Sequence, residues 1–140
     1  MQKWGYILVG PGRPLVHEQR ATLATFGVAM EDFGPTWEDH IAGSRRGRNA
    51  GQLSLTARNG LINSVVAGDR VFVAAPFCLG ISSKDAAWFI KELQDRYVTI
   101  TIGSSVSILR PGDDASDIVD KVGRAQNRTH VASSLSRRKS

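Results

Sequence analysis

The sequence predicts an α/β protein, a three-layer sandwich in which a mostly parallel sheet of four to five strands carries helices on both faces. Residues 71–75 form an uncharged run between a Gly-Asp turn and Pro76, which is typical of a strand buried on both faces of a sheet. Residues 97–102 (YVTITI) alternate as a half-buried strand does. Segments of helical periodicity separate these strands, and this alternation favours parallel pairing through right-handed crossovers.

The first half of the chain is predicted to contain two strands and two helices. Residues 3–9 (KWGYILV) are rich in aromatic and branched side chains, which favours a strand that ends at Gly10-Pro11-Gly12. Pro14 suits the first turn of a helix, and Gly27 suits its end. The next segments are predicted as a short strand (28–33), a polar loop (34–51) and a helix with apolar side chains four residues apart (53–65).

The second half begins with the central strand and continues the alternation. Ser82 and Asp85 fit a capping box at the start of a third helix. The 97–102 strand follows, and residues 106–109 are predicted as a fifth strand that Pro111-Gly112 ends. We therefore predict three parts: an α/β domain (1–112), a short C-terminal helix (113–125) and a basic flexible tail (126–140).

Composition sets limits on the function. The chain of 140 residues is 41% hydrophobic, enough for one core, and contains no apolar run long enough to span a membrane. Its net charge of +5 modestly favours polyanionic partners. Cys78 is the sole cysteine, which excludes an internal disulfide and a finger-type zinc site, and the three histidines are dispersed. We expect a cytoplasmic protein without cofactor or metal.

The order of several short motifs resembles the catalytic domain of the serine recombinases of the resolvase/invertase family, over roughly residues 3–108. The matching positions are Gly5, Tyr6 and Val9; Gln19, Leu23, Gly27 and Val28; Asp39 and Gly43; Gly68 and Asp69; Leu79 and Gly80; and Tyr97 and Val98. The resemblance implies a resolvase-like fold, followed by the long dimer helix of that family, which the pattern here shortens to about residues 114–126.

The reaction centre that the resemblance implies is missing from the sequence. The nucleophilic serine of the family falls on Gly10, and the arginine two residues before it falls on Leu8. The family's aspartate and two arginines after the central strand fall on Phe77, Cys78 and Ile81, and a further arginine falls on Leu55, or on Arg58 if one turn is removed. Without nucleophile and cations there is no route to strand cleavage, so we expect no recombinase activity.

The leading hypothesis is therefore a catalytically inactive resolvase-like domain that acts as a regulatory or assembly module. It would associate with itself or bind a DNA-associated partner, and it would contact DNA weakly. An amphipathic stripe predicts a homodimer through Ile118, Val119 and Val122. Several basic side chains would contact DNA phosphates in this hypothesis; the alternative interpretation is a solvated loop and a solubilising tail. These residues are Arg45, Arg46, Arg48, Arg58, Arg137, Arg138 and Lys139. The second hypothesis is a sequence-tolerant DNA-binding regulator that uses these cations.

A third hypothesis places a small molecule or nucleotide in the crevice between residues 10–13 and Cys78, because ligands gather at the carboxyl ends of parallel strands. The Gly10–Arg13 segment lacks the spacing of G-x-G-x-x-G and of Walker A, so a tight connection is the favoured interpretation. Cys78 lies between Phe77 and Leu79 with no base nearby in the sequence, which favours an inert, part-buried thiol over a substitute nucleophile.

Overall fold

The computed structural model describes the backbone of residues 1–31, 34–41 and 55–139, and side chains within these ranges up to residue 130. The described residues form a five-stranded sheet with four α-helices and a one-turn 3₁₀ helix. The strands are β1 (Lys3–Val9), β2 (Thr36–His40), β3 (Arg70–Val73), β4 (Thr99–Ile102) and β5 (Ser107–Leu109). The helices are α1 (Val16–Thr25), α2 (Thr56–Ser64), α3 (Ser83–Asp95) and α4 (Ser116–Lys139), and the 3₁₀ helix is Pro76–Leu79.

The strand order in the sheet is β2-β1-β3-β4-β5. The pairs β1–β2, β1–β3 and β3–β4 are parallel, whereas β5 runs antiparallel to β4. The tight turn between β4 and β5 accounts for the exception, since two strands joined by a short turn must run in opposite directions. The prediction of a mostly parallel sheet in an α/β fold is confirmed.

Helices cover both faces of the sheet, which makes three layers. On one face Leu23 of α1 packs with Ile7 and Phe72. On the other face α2, α3 and α4 cover the alternate positions of the same strands, including Tyr6 and Leu8. This division follows from the period of two along a strand, which sends neighbouring side chains to opposite faces.

The second strand lies later in the chain than predicted. Residues 28–33 were expected to form it, but β2 is Thr36–His40, in register with β1 from Gly5 to Val9. Val28 instead packs beneath α1 as a buried core residue. The polar sequence TWEDH did not indicate a strand because β2 is at the edge of the sheet, where only one side of the strand is paired.

The C-terminal helix is longer than predicted. Its predicted end near residue 125 is wrong, because α4 is a helix of 24 residues that ends at Lys139. Residues 124–139 contain neither glycine nor proline, so nothing in the backbone chemistry stops the helix there. Asp114 accepts hydrogen bonds from the amide and hydroxyl of Ser116 at its start. No helix in the described ranges has both the length and the apolar character to cross a bilayer.

The Gly-Asp turn before β3 fixes the first strands at their amino ends. Gly68 has a φ of 91°, which suits glycine. The buried carboxylate of Asp69 accepts hydrogen bonds from the indole of Trp4 and from the amides of Gln2 and Val66. Burial alone would raise the pKa of Asp69, but these hydrogen bonds together lower it. Asp69 therefore joins the starts of β1 and β3 to the turn after α2.

Candidate anion-binding cleft

The carboxyl ends of β1, β3 and β4 meet at one edge of the sheet. From β1 the chain passes to β2 on one side and later returns to β3 on the other side, so the strand order reverses between β1 and β3. In open α/β sheets this reversal leaves a crevice in which ligands bind. The segments that follow these strands begin at Gly10, Ala74 and Gly103.

The positions to which the resemblance assigns the recombinase reaction centre are apolar and closed. Leu8 and Cys78 are fully buried, Phe77 is nearly so, and Ile81 is half-buried. The side-chain amide of Gln19 donates to the carbonyl of Leu8 and accepts from its amide, which fixes this end of β1. These positions provide no hydroxyl nucleophile and no cation.

The thiol of Cys78 is part of the core. It lies in the 3₁₀ helix and is fully buried. Burial raises the pKa of Cys78 to about 11, so the thiol is protonated at neutral pH. A protonated thiol beneath the surface is a weak nucleophile, which agrees with the interpretation of Cys78 as inert.

Arg58 is not a surface residue, and the structure contradicts its predicted contact with DNA. Its side chain is fully buried, and its guanidinium forms a two-pronged ion pair with Asp85, at 2.7 and 2.9 Å. It also donates to the carbonyl of Leu79 at 3.0 Å. No local sequence pattern indicates this pair, because the two residues are 27 positions apart. Arg58 therefore stabilises the fold by connecting α2 to α3.

Asp39, the acidic position of the resemblance, also has a structural role here. Its carboxylate accepts hydrogen bonds from the amides of Ala57 and Arg58, at the first turn of α2, and from the hydroxyl of Tyr6. A carboxylate at a helix N-terminus satisfies free amides and interacts favourably with the helix dipole. Burial, followed by the charge of Asp39, raises the pKa of Tyr6.

The predicted dimer stripe on the C-terminal helix is covered by the same chain. Ile118 and Val122 are buried in the main core, and Val119 packs against it half-buried. The apolar face of α4 packs on α3 and on the 3₁₀ helix of the same chain, which explains why the helix is amphipathic. Burial within one chain therefore contradicts the assignment of Ile118 and Val122 to a dimer contact, whereas the assignment of the half-buried Val119 stays a prediction.

The side chains of the remaining predicted DNA contacts lie outside the described part of the chain. Arg45, Arg46 and Arg48 lie outside the described residues. Arg137, Arg138 and Lys139 are in the last turn of α4, but their side chains lie outside the described part of the chain.

An open cleft of about 550 Å³ lies at the carboxyl edge of the sheet. Its lining combines three cations, two serines and several apolar groups, and no carboxylate is among the described residues that line it. These residues are Gly12, Arg13, Pro14, Ala75, Pro76, Phe77, Ser104, Ser105, Lys121, Ala125 and Arg128. The cleft is therefore electropositive.

Arg13 is held rigidly at the wall of this cleft. Its guanidinium donates to the carbonyls of Pro11, Phe77 and Gly80, at 2.7 to 3.0 Å, and its carbon lies 3.5 Å from the centre of the Phe77 ring. Burial lowers the pKa of Arg13 to about 10, so the side chain is still charged at neutral pH. Among the described residues its partners are carbonyls and a ring, and none of them is a carboxylate.

Helix α4 forms the other wall. Lys121, Ala125 and Arg128 are spaced as neighbours on one face of a helix, and all three line the cleft. The helix approaches the loop after β1 very closely, because a Cβ atom on Gly12 would overlap the hydroxyl of Thr129. Gly12 also has a φ of 77°, so glycine is required there by conformation as well as by space.

Sequence reasoning placed a crevice near residues 10–13 but did not find most of this cleft. The sequence-based predictions gave Ser104 and Ser105 no functional role, and they placed Arg128 in the tail because the helix was predicted to end before it. The signal that could have identified the α4 wall is the spacing of Lys121, Ala125 and Arg128. No protein-family model matches this sequence, and no curated protein is significantly similar to it.

Proposed function

We propose that this chain is a resolvase-like domain that does not cleave DNA and that acts by binding, as a regulatory or assembly module. The observation that carries the proposal is the closed, apolar set at the expected reaction centre, in which Leu8 and Cys78 are fully buried. Support for the resemblance itself comes from α4, since a long helix after the sheet is what the family implies.

The physical argument rests on charge. Phosphoryl transfer builds negative charge on oxygens, and enzymes stabilise it with positioned cations. Removal of one such donor commonly lowers a rate by about 10²–10³. Here the nucleophile and several cations are replaced together: Gly10 stands at the serine position, and Leu8, Cys78 and Ile81 stand at arginine positions. The summed loss leaves no covalent cleavage.

A nicking assay tests this proposal. Supercoiled plasmid is incubated with excess protein and Mg²⁺ and then denatured to reveal covalent protein–DNA adducts. We expect no nicked or linear product above the buffer control and no adduct. Nicking would contradict the proposal, and the Cys78→Ala variant, which has no nucleophilic side chain at this position, would then show whether the thiol is a substitute nucleophile.

Self-association is the form of assembly that the hypothesis predicts. A homodimer cannot use Ile118 and Val122 as placed here, because both are buried within one chain. Light scattering of the full chain over a range of concentrations is the measurement, with a mass of 15.2 kDa for one chain. A mass that stays at this value at all concentrations would leave heterologous binding as the only form of assembly.

DNA binding is a second candidate, favoured by the cations of α4. Arg124 and Arg128 are both exposed on this helix, and Lys121 is partly exposed. Sequence-independent binding would weaken with salt by about 0.9 log units per log unit for each neutralised phosphate. Gel shifts with one duplex at low and moderate salt measure this slope, and no shift at low salt would exclude the candidate.

A further inference from the structure

We propose that the electropositive cleft between the sheet edge and α4 binds a small organic phosphate, a molecule with a terminal phosphate or diphosphate and a compact apolar part. This inference goes beyond the proposed function and does not depend on it, because a domain with or without nicking activity could bind such a ligand. Three features carry it: the charge, the mixed lining and the shape.

The charge of Arg13 is preorganised, and no carboxylate among the described residues contacts it directly. Arg13 is fixed by three carbonyls and by the Phe77 ring, so its charge is held in place before any ligand arrives. Three of its five N–H groups are used in these bonds, which leaves donors for a ligand. A fixed donor loses little entropy on binding, which increases affinity.

Two cations of α4, Lys121 and Arg128, line the cleft together with Arg13. Lys121 has one ion pair, at 3.5 Å, with Asp117, whose side chain is 77% exposed, so a ligand can replace that weak contact. Arg128 is exposed and has no ion pair or hydrogen bond within the described part of the chain. Arginine and lysine together with serine hydroxyls are the usual donors to phosphate oxygens, and Ser104 and Ser105 line the same cleft.

The rest of the lining and the shape indicate an organic ligand. Pro76, Phe77 and Ala125 give the cleft an apolar portion that a bare phosphate would leave exposed. Its volume of about 550 Å³ lies within the range of about 300–1,000 Å³ that small-molecule sites occupy. A concave site with convergent polar groups suits a small ligand better than the backbone of a duplex, which lies along a surface.

The test is titration calorimetry of the full chain with ADP as the probe. ADP carries a diphosphate for the cations and a planar base for the apolar portion. The test variant is Lys121→Gln/Arg128→Gln, since both side chains are on the outer part of α4 and their loss leaves the core intact. Arg13 is not substituted, because its bonds to three carbonyls also hold the loops.

We expect saturable binding of ADP by the wild type and a loss of affinity of at least about 10-fold in the double variant, because hydrogen bonds to charged groups are removed. The matched control is Arg124→Gln, an exposed cation of α4 that does not line the cleft. Its affinity for ADP should stay within about 2-fold of the wild type, because screened charges outside the cleft contribute little.

Four results would overturn the proposal. They are no detectable binding at millimolar ADP, an equal loss in the Arg124→Gln control, pyrophosphate binding as tightly as ADP, and a short DNA duplex binding more tightly than ADP through Lys121 and Arg128. The nicking assay is independent of all four, so failure of one proposal is distinguishable from failure of the other.

Discussion

Replacement of Arg58 by methionine should destabilise the protein more than almost any other single change of a charged side chain. Arg58 is fully buried, and its partner Asp85 is 6% exposed. After the substitution the amide of Ile81, at 2.9 Å, is the remaining hydrogen-bond donor to the Asp85 carboxylate among the described residues. A buried charge that has lost its partner usually costs about 3–5 kcal/mol.

This cost is a large fraction of the free energy of unfolding of a domain of this size. Domains of this size are typically stable by about 5–15 kcal/mol, so the variant should lose about a fifth or more of its free energy of unfolding. Urea unfolding followed by tryptophan fluorescence measures it. With a slope of about 2 kcal/mol per molar, the midpoint should fall by about 2 M at unchanged slope.

A matched control and a cycle isolate the ion pair. Arg70→Met removes an exposed arginine at the start of β3 and should change the stability by less than about 0.5 kcal/mol. In the double variant Arg58→Met/Asp85→Asn no charge is left unpaired, so its cost should be about 1–3 kcal/mol below the sum of the two single costs. The Nε atom of Arg58 is buried without a hydrogen bond, which further limits what the intact pair contributes.

Two results would refute this reasoning. One is a cost for Arg58→Met similar to that of Arg70→Met, which would mean that Arg58 is at the surface. The other is additivity of the Arg58 and Asp85 substitutions within about 0.5 kcal/mol, which would mean that the two side chains do not interact. A folded Arg58→Met protein with normal stability and weaker DNA binding would restore the original assignment of Arg58 to a DNA contact.

Three further predictions concern other parts of the fold. Cys78 should react with a thiol reagent at pH 8 only on the timescale of unfolding, because its thiol is buried and its pKa is raised to about 11; rapid native labelling would contradict this. Since the unfolded chain releases that proton first, stability should fall between pH 9 and 11, and a Cys78→Ala variant should lose this component. Asp69→Asn should cost about 1–3 kcal/mol at neutral pH in urea unfolding, because three donors lose a charged acceptor. The pKa of Asp69 is lowered on folding, so this stability is present above the unfolded pKa of 3.8 and is lost as the pH falls through the folded pKa; an unchanged acid profile in the variant would contradict it. Gly12→Ala should lower the stability by at least about 1 kcal/mol more than Gly112→Ala in thermal unfolding. Both glycines have positive φ, but the new Cβ would meet Thr129 at Gly12, whereas no described atom lies within contact distance at Gly112. Equal costs would mean that α4 does not pack against Gly12.

The elements with a strong periodic pattern could be predicted from the sequence, and those whose pattern depends on context could not. The first strand, α1, α3 and the YVTITI strand all lie within a few residues of their predicted places, because their local signals are clear. Glycine and proline bound β1 and α1, a capping box begins α3, and apolar side chains alternate in YVTITI. The edge strand β2 pairs with a neighbour on one side and is mostly half-buried, so its sequence can be polar and is similar to that of a loop. The helix α4 past Gly123 is mostly polar, and its continuation depends on the absence of a stop signal rather than on a pattern.

Gly60 illustrates why local rules fail where distant residues meet. A glycine inside a helix weakens it, so helix propensity alone disfavours Gly60 within α2. In the structure the ring of Trp37 packs directly on Gly60, where an added Cβ would lie 2.7 Å from a ring atom. The helix needs the glycine for this contact with β2, and no sequence window that contains Gly60 also contains Trp37.

The distribution of internal partners is the strongest reason to look for ligands at the sheet edge. Asp39, Arg58 and Asp69 resemble functional residues in the sequence, yet each is buried, and its charge is satisfied within the fold by helix amides, an ion pair or a turn. Arg13 and Arg128 are the opposite case, because the described residues give neither of them a carboxylate. The buried charges are therefore paired within the fold, whereas the cations around the concave site are free to interact with an anionic ligand. Function at this edge should therefore respond to Lys121 and Arg128 and be insensitive to Arg124, which carries the same charge on the same helix outside the cleft.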